Sequence, residues 1–347
     1  EVMNKSESLE ERVTRLQADR LIDLHYDLPL GLFLKAPRRR VVASDFLPEF
    51  EAGDIGLLGV ALYVEDAHLP QALRVALDQV ALLEEELAAT PQLVLCRTFA
   101  EIEKAQKDKR IGLILTMEGA EPLGDDLHLV RIFYELGLRA LLLTHARENA
   151  AAAGGIFAAS GSPARGLTSF GRELVAECER LGIILDLAHI NPAGFEEVCA
   201  LTSRPLIVSH SNARRYYDIE RNISDEQIRM IGARGGVIGI NAILVSPARE
   251  SATLDRYVDH IEHVASLIGI DGVGLGFDFC EFLWDLTPVA QREELEKKLT
   301  TPHFLPELGN HSHARNLTRK LIERGFSDEE IEKILRGNWL RVLRQLL

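Results

Sequence analysis

The stretch Leu181–Asn212, LGIILDLAHINPAGFEEVCALTSRPLIVSHSN, limits what this chain can fold into more than any other. Two short apolar runs, Ile183–Leu187 and Leu206–Val208, flank a segment that Pro192 and Gly194 open and that reads as helical over Phe195–Thr202. Short β-branched and Leu-rich runs around a helix predict a βαβ unit with parallel strands. The first run leads into His189 and the second into His210, so both histidines fall at C-terminal strand ends. In an α/β barrel that face carries the active site. Two imidazoles on neighbouring strand ends can share a metal ion, although either histidine alone reads equally well as a hydrogen-bonded interior residue.

The same grammar recurs along the chain. Further strands are expected at Leu21–Asp27, Ile55–Val64, Ile111–Thr116, Leu138–Leu143, Val237–Ile240 and Gly272–Gly276. Helices are expected at Gln71–Ala89, Thr98–Lys107, Asp126–Leu136, Thr168–Arg180 and Leu254–Ile268, with Glu84–Glu86 on a solvated face and His260 and His263 as surface or packing residues. Gly137 closes one helix, and Ser224 and Ser327 open capping boxes. Glu148–Gly166, rich in Ala, Gly and Ser, reads as a long loop. Eight strands alternating with helices predict an α/β fold, a single (β/α)8 TIM-type barrel over residues 20–347. Residues 1–19 form an N-terminal arm or helix, 280–316 a long insertion after strand eight, and a helix closes the chain.

The net charge of −14 excludes a nucleic-acid partner, which needs a positive face. No apolar run reaches the roughly 20 residues of a membrane span, so no membrane partner is expected. The charged N-terminal stretch lacks the apolar core of a signal peptide. Cys96, Cys178, Cys199 and Cys280 form no CxxC pair and read as reduced thiols, consistent with a cytoplasmic protein.

Polar residues collect at the strand ends: His25 and Asp27, Glu118, His145, His189, His210, Asn241 and Asp278. Imidazole and carboxylate without thiolate suit two divalent ions such as zinc or manganese. Two metals roughly 3.5–4 Å apart that share a carboxylate and a hydroxide are a hydrolytic device.

These blocks resemble the renal (membrane) dipeptidase family of zinc peptidases, among the amidohydrolase-like metal-dependent barrels. The resemblance runs from about Ile22 to Val342. It is carried by His25-Tyr26-Asp27-Leu28-Pro29, Glu118-Gly119-Ala120, Leu143-Thr144-His145, Gly166–Gly171, Asp186–His189, Ser209-His210-Ser211, Arg221-Asn222, Gly274–Phe279 and Ile334–Arg341. It implies a dipeptidase with two divalent ions, most simply Zn2+, acting on dipeptides with free amino and carboxyl ends, and it points to a homodimer. His25 and Asp27 would hold one zinc, His189 and His210 the other, with Glu118 bridging. His145 would contact the carbonyl oxygen, Arg221 the substrate carboxylate, and Asp278 the free amine while shuttling a proton. The sequence departs from the family at Tyr26, whose side chain should point away from the metals, and at Cys280-Glu281, so the 280–313 region should shape a different pocket. Arg214-Arg215-Tyr216-Tyr217 is a further place where specificity can change.

Two other readings stay open at this point. Another binuclear amidohydrolase, such as a lactonase, phosphotriesterase, deaminase or amidase, often bridges its metals with a carboxylated lysine. No lysine ends the third or fourth strand, and Glu118 takes that place. A barrel that binds a ligand without catalysis is the second.

Overall fold

Residues 7–298 and 302–347 are described by a computed structural model of the chain. The first six residues of the N-terminal arm and residues 299–301 of the insertion lie outside the described residues. The strand segments are apolar at almost every position, and the long ones are buried throughout, as β1 (Leu21–Tyr26) and β2 (Ile55–Leu62) show. A strand buried on both faces belongs in a parallel sheet covered by helices. The remaining strands are β3 (Leu93–Leu95), β4 (Ile111–Glu118), β5 (Leu138–Leu142), β6 (Ile184–Asp186), β7 (Ile207–Ser211), β8 (Val237–Ile240) and β9 (Val273–Leu275). Pairing is parallel throughout, in the order β1-β2-β4-β5-β6-β7-β8-β9, a nearly closed eight-stranded barrel of TIM type. All eight expected strands are present. The addition is β3, which pairs with the start of β4; three residues are too short to show a period.

The β1–β9 edge carries no ladder, and a side chain spans it instead. Asp23 Oδ1 accepts the Phe277 amide at 2.9 Å and the His25 amide at 3.3 Å. Its Oδ2 accepts His311 Nε2 at 2.7 Å, and both side chains are fully buried. Inside the barrel, Ile22, Leu57, Ile184, Ile207 and Val237 meet Trp339, Leu343 and Leu346 of the last helix, Asn338–Leu346. These strand residues lie at strand starts, so that helix plugs the N-terminal mouth. Trp339 Nε1 donates to Leu275 O at 2.9 Å, and a Cβ on Gly274 would lie 2.5 Å from that nitrogen, so only glycine fits there.

The helix boundaries follow local signals. Thr98, Ser224 and Ser327 each form a capping box, and Thr168 caps Ser169–Leu181. Gly137 ends His128–Leu136 at φ 115°, a left-handed conformation that favours glycine. Leu28–Lys35 and Val42–Ala52 are helical without having been expected. Their presence corrects the reading of Glu86. It is buried, not solvated, because Ala72–Ala89 packs near Val42, whose amide at a helix start donates to Glu86 Oε2 at 2.9 Å. The insertion is partly helical, with Glu281–Leu286 and Val289–Lys298. Among the described residues no helix is long and apolar enough to cross a membrane.

Candidate metal and substrate site

All the candidate residues but Arg221, which lies farther along the loop after β7, sit at or just past the end of a strand. His25 is inside β1, and Asp27 lies just past it, heading the helix Leu28–Lys35. Tyr26 between them turns into the core against Phe50, Phe282 and His311. Glu118 is the last residue of β4, and His210 lies within β7, which runs on to Ser211. His189 and Asp278 follow β6 and β9 at φ 70° and 58°. Left-handed backbone is uncommon outside glycine and collects at functional sites.

These side chains converge. Glu118 Oε1 lies 3.0 Å from His189 Nε2, 3.2 Å from His210 Nε2 and 3.6 Å from His25 Nε2. His25 Nε2 is also 3.6 Å from Asp278 Oδ1. His25 and His210 stack with ring centroids 3.5 Å apart. Three groups could each hold a cation, with ligand atoms within 4.8 Å of one another: His25–Asp27–Glu118, Glu118–His189–His210 and His25–His210–Asp278. The third was not expected, and it places Asp278 at the edge of the ligand cluster. Arg221 is 2 % exposed, donates to His210 O at 3.1 Å and Ser211 Oγ at 3.2 Å, and borders the same cavity. His145 borders it too, its ring 4.3 Å from that of His189.

Electrostatics separate this cluster from an ordinary core. Burial pushes Glu118 and Asp27 well above the usual carboxylate range, and neighbouring carboxylates add to it. Burial raises Asp278 to about 7, against the pull of Arg221 and of Asn241, whose Nδ2 donates to it at 2.8 Å. Burial holds His25 down at about 3 and His145, His189 and His210 well below their ordinary value. Among the described residues, both imidazole nitrogens of His25, Oδ1 of Asp27 and Nδ1 of His189 are buried without a hydrogen-bond partner. Neutral imidazoles and unpartnered carboxylate oxygens around one point suit a divalent cation, so the donor set fits a metal.

Outer contacts orient the ligands. Asp186 Oδ1 accepts the amides of Ala188 at 3.0 Å and Ser209 at 2.9 Å. Ser209 Oγ stands 2.8 Å from His210 Nδ1. With Nδ1 on the Ser209 hydroxyl, the ring turns its Nε2 towards Glu118, 3.2 Å away. Sequence reasoning missed Asp23, Asp186, Ser209 and His311. Asp23 and Asp186 carried a usable signal, since a carboxylate within an apolar strand needs a partner. His311 carried none.

Above the cluster opens a cavity of about 540 Å3. Its floor includes Asp27, Glu118, His145, His189, Arg221 and Asp278, and its walls include Leu30, Leu34, Phe157, Ile243, Leu244 and Tyr63. The insertion contributes Cys280, Leu283, Trp284, Thr287 and Leu295. Residues Arg214–Tyr217 are not among its described lining: Arg214 pairs with Asp218, and Tyr216 packs on His260.

A parallel barrel with histidines and carboxylates gathered at the C-terminal strand ends is the architecture of the amidohydrolase-like metal-dependent hydrolases. The membrane dipeptidase family, peptidase family M19, matches residues 10–301 and 299–346, and the chain belongs to it. Dipeptidase 3 of Rattus norvegicus is 29% identical over 350 residues, covering 94% of this chain and 65% of the relative, so the chain spans just under two thirds of that protein's length. The crystal structure of dipeptidase AC, a metallopeptidase of family M19, superposes with a TM-score of 0.81 at 28% identity, covering 94% of this chain and 98% of the other. A metallopeptidase from Rhodobacter sphaeroides, liganded with a phosphinate mimic of the dipeptide L-Ala-D-Ala, gives a TM-score of 0.82 at 27% identity, covering 94% and 99%.

Proposed function

We propose that this chain is a metal-dependent dipeptidase that hydrolyses the peptide bond of dipeptides with free amino and carboxyl ends. The observation that carries the reading is Glu118, whose one oxygen stands within 3.6 Å of His25 on β1, His210 on β7 and His189 just after β6. His25 and Asp27 would hold one divalent ion and His189 and His210 a second, with Glu118 shared; zinc suits these ligands. Bound there, such ions lower the pKa of water and polarise a carbonyl.

The chain's own residues do the rest. Arg221, buried and fixed by His210 O and Ser211 Oγ, offers a guanidinium to the substrate's carboxylate. His145, held neutral by burial, can donate a hydrogen bond to the carbonyl oxygen and stabilise it as charge develops. Asp278 meets the free amine and carries a proton to the leaving nitrogen, a task that suits an acid raised to about 7. The apolar walls exclude water from the reacting bond. The dipeptide mimic in the Rhodobacter sphaeroides relative supports this substrate class.

The test is metal analysis followed by a panel of L,L- and L,D-dipeptides. Up to two divalent ions per chain, activity abolished by a chelator and restored by zinc, and no cleavage of N-acetylated dipeptides are the expected results. A metal-loaded protein that cleaves no dipeptide but opens lactones or phosphotriesters overturns the reading.

A further inference from the structure

Arg147 follows His145 by two residues on the loop after β5, and four hydrogen bonds hold its guanidinium inside the protein. Nε donates to Glu121 Oε1 at 2.7 Å, Nη1 to Asp66 Oδ1 at 2.8 Å and Tyr63 OH at 3.2 Å, and Nη2 to Val64 O at 2.6 Å. Tyr63, Val64 and Asp66 lie on the loop after β2, and Glu121 on the loop after β4. Three barrel loops therefore meet on one side chain. It is not a loose surface ion pair, because the Arg147 side chain is 16% exposed and that of Glu121 9%. A planar fork of five donors is needed to reach partners on different loops at once, which an ammonium cannot do.

The clamp leads to the reacting centre through Tyr63. The backbone of Tyr63 is fixed on both sides by Gln79, whose Oε1 accepts its amide at 3.1 Å and whose Nε2 donates to its carbonyl at 2.6 Å. The ring is left to turn about its own torsions, and Arg147 is what the hydroxyl bonds. That ring packs on His145 with centroids 4.7 Å apart at 55°. Among the described residues no hydrogen bond holds the His145 imidazole; Tyr63 lies on one side of it and His189 on the other. The His145 backbone is braced from below, since a Cβ on Gly154 would lie 1.9 Å from His145 O, so the loop closes only over glycine.

We propose that Arg147 is a positioning residue: it pins the Tyr63 ring against His145 and so aims the imidazole over the ligand cluster. The inference rests on His145 acting on the scissile carbonyl. A donor that turns by a fraction of its ring width loses its line to the oxygen, and a misplacement of about 1 Å costs on the order of 10²-fold in rate. Among the described residues no hydrogen bond or ion pair joins Arg147 to Arg221 or to the metal ligands, so the carboxylate clamp and metal binding stay as they are.

A kinetic double-mutant cycle on the zinc-loaded protein tests it, with Arg147→Met, Tyr63→Phe and the pair, on the best dipeptide of the panel. Arg147→Met lowers kcat about 10²-fold with KM and metal content unchanged. Tyr63→Phe, which keeps the ring and the fold, lowers kcat less, and the double variant is no worse than Arg147→Met, because both cut one coupling. Added guanidinium restores part of the turnover of Arg147→Ala. Losses that multiply, a change in KM in place of kcat, or unchanged turnover overturn the proposal. A second readout separates it from the functional reading. The His145 ring resonances, assigned with His145→Gln, shift and broaden in Arg147→Met whether or not the protein cleaves dipeptides. Unchanged resonances overturn the positioning role, and a wild-type protein inactive on every dipeptide overturns the functional reading alone.

Discussion

The hydroxyl of Ser209 stands 2.8 Å from Nδ1 of His210, and the amide of the same serine donates to the buried carboxylate of Asp186 at 2.9 Å. The serine directs which nitrogen of its neighbour faces Glu118. Ser209→Ala removes the hydroxyl partner of Nδ1 and frees the ring to turn or change tautomer. Removing such an outer partner typically weakens metal binding by about 10–100-fold. Competition with a chromophoric chelator measures this directly; an affinity equal to wild type would show that the serine only packs.

Arg221→Ala is expected to raise KM for dipeptides with little change in kcat, because the carboxylate is held equally before and during reaction. A dipeptide with an amidated C-terminus lacks that carboxylate and should suffer far less. Steady-state kinetics on the two substrates decide it, and equal losses on both refute the assignment.

His145→Ala and Asp278→Asn test the chemistry apart from the ligands. Losing one donor to a developing oxyanion costs on the order of 10²–10³ in kcat. Both variants should keep their metal content. Asp278 is the sharper case, since it lies 3.6 Å from His25 within a possible ligand group. Metal lost in proportion to activity would make it a ligand and not a proton carrier.

His260 predicts a pH dependence of stability away from the site. It is fully buried, Nδ1 accepts the Ala213 amide at 3.1 Å, and Nε2 bonds Val245 O at 2.9 Å. Burial holds it at about 4, with Arg256 adding to the effect and Val245 and Asp259 opposing it. Its pKa in the folded chain lies below the unfolded value of about 6.5, so protons favour the unfolded chain. The stabilisation is whole above pH 6.5, shrinks as the pH falls and is gone below about pH 4, a span of roughly 3 kcal/mol at about 1.4 kcal/mol per pH unit. Urea midpoints of the wild type and His260→Gln should therefore converge as pH falls through this window. A constant gap between them contradicts the argument.

The ligand cluster was legible because its members break a simple rule. Glu118, His189 and His210 each end or follow a run of buried aliphatics, where a polar residue stands out. The barrel was legible for the same reason, since eight apolar runs alternate with capped helices. Leu28–Lys35 was not, because an apolar helix directly after an apolar strand shows no change of composition, only Pro29 near its start. Glu86 was misread because helical position says which side a residue faces, not whether another segment covers that side. His311 and Arg147 were silent for a deeper reason: their partners, Asp23 and the Tyr63–Asp66 loop, are neighbours only after the chain has closed. The roles of Arg221, His145 and Asp278 came from family resemblance, not from pattern.

One property follows from the edge that Asp23 spans between β1 and β9. A ladder shares load over many bonds, whereas here a single carboxylate reaches Phe277 and His311. That line is the barrel's zipper, where thermal breathing is expected to start. His25 and Asp27 stand on one lip and Asp278 beyond the other, so a gap there divides the reacting centre while every helix is still wound. On slow heating, turnover should fade several degrees before the far-ultraviolet circular dichroism moves, and the Phe277 amide should exchange its proton ahead of those within β2 and β4.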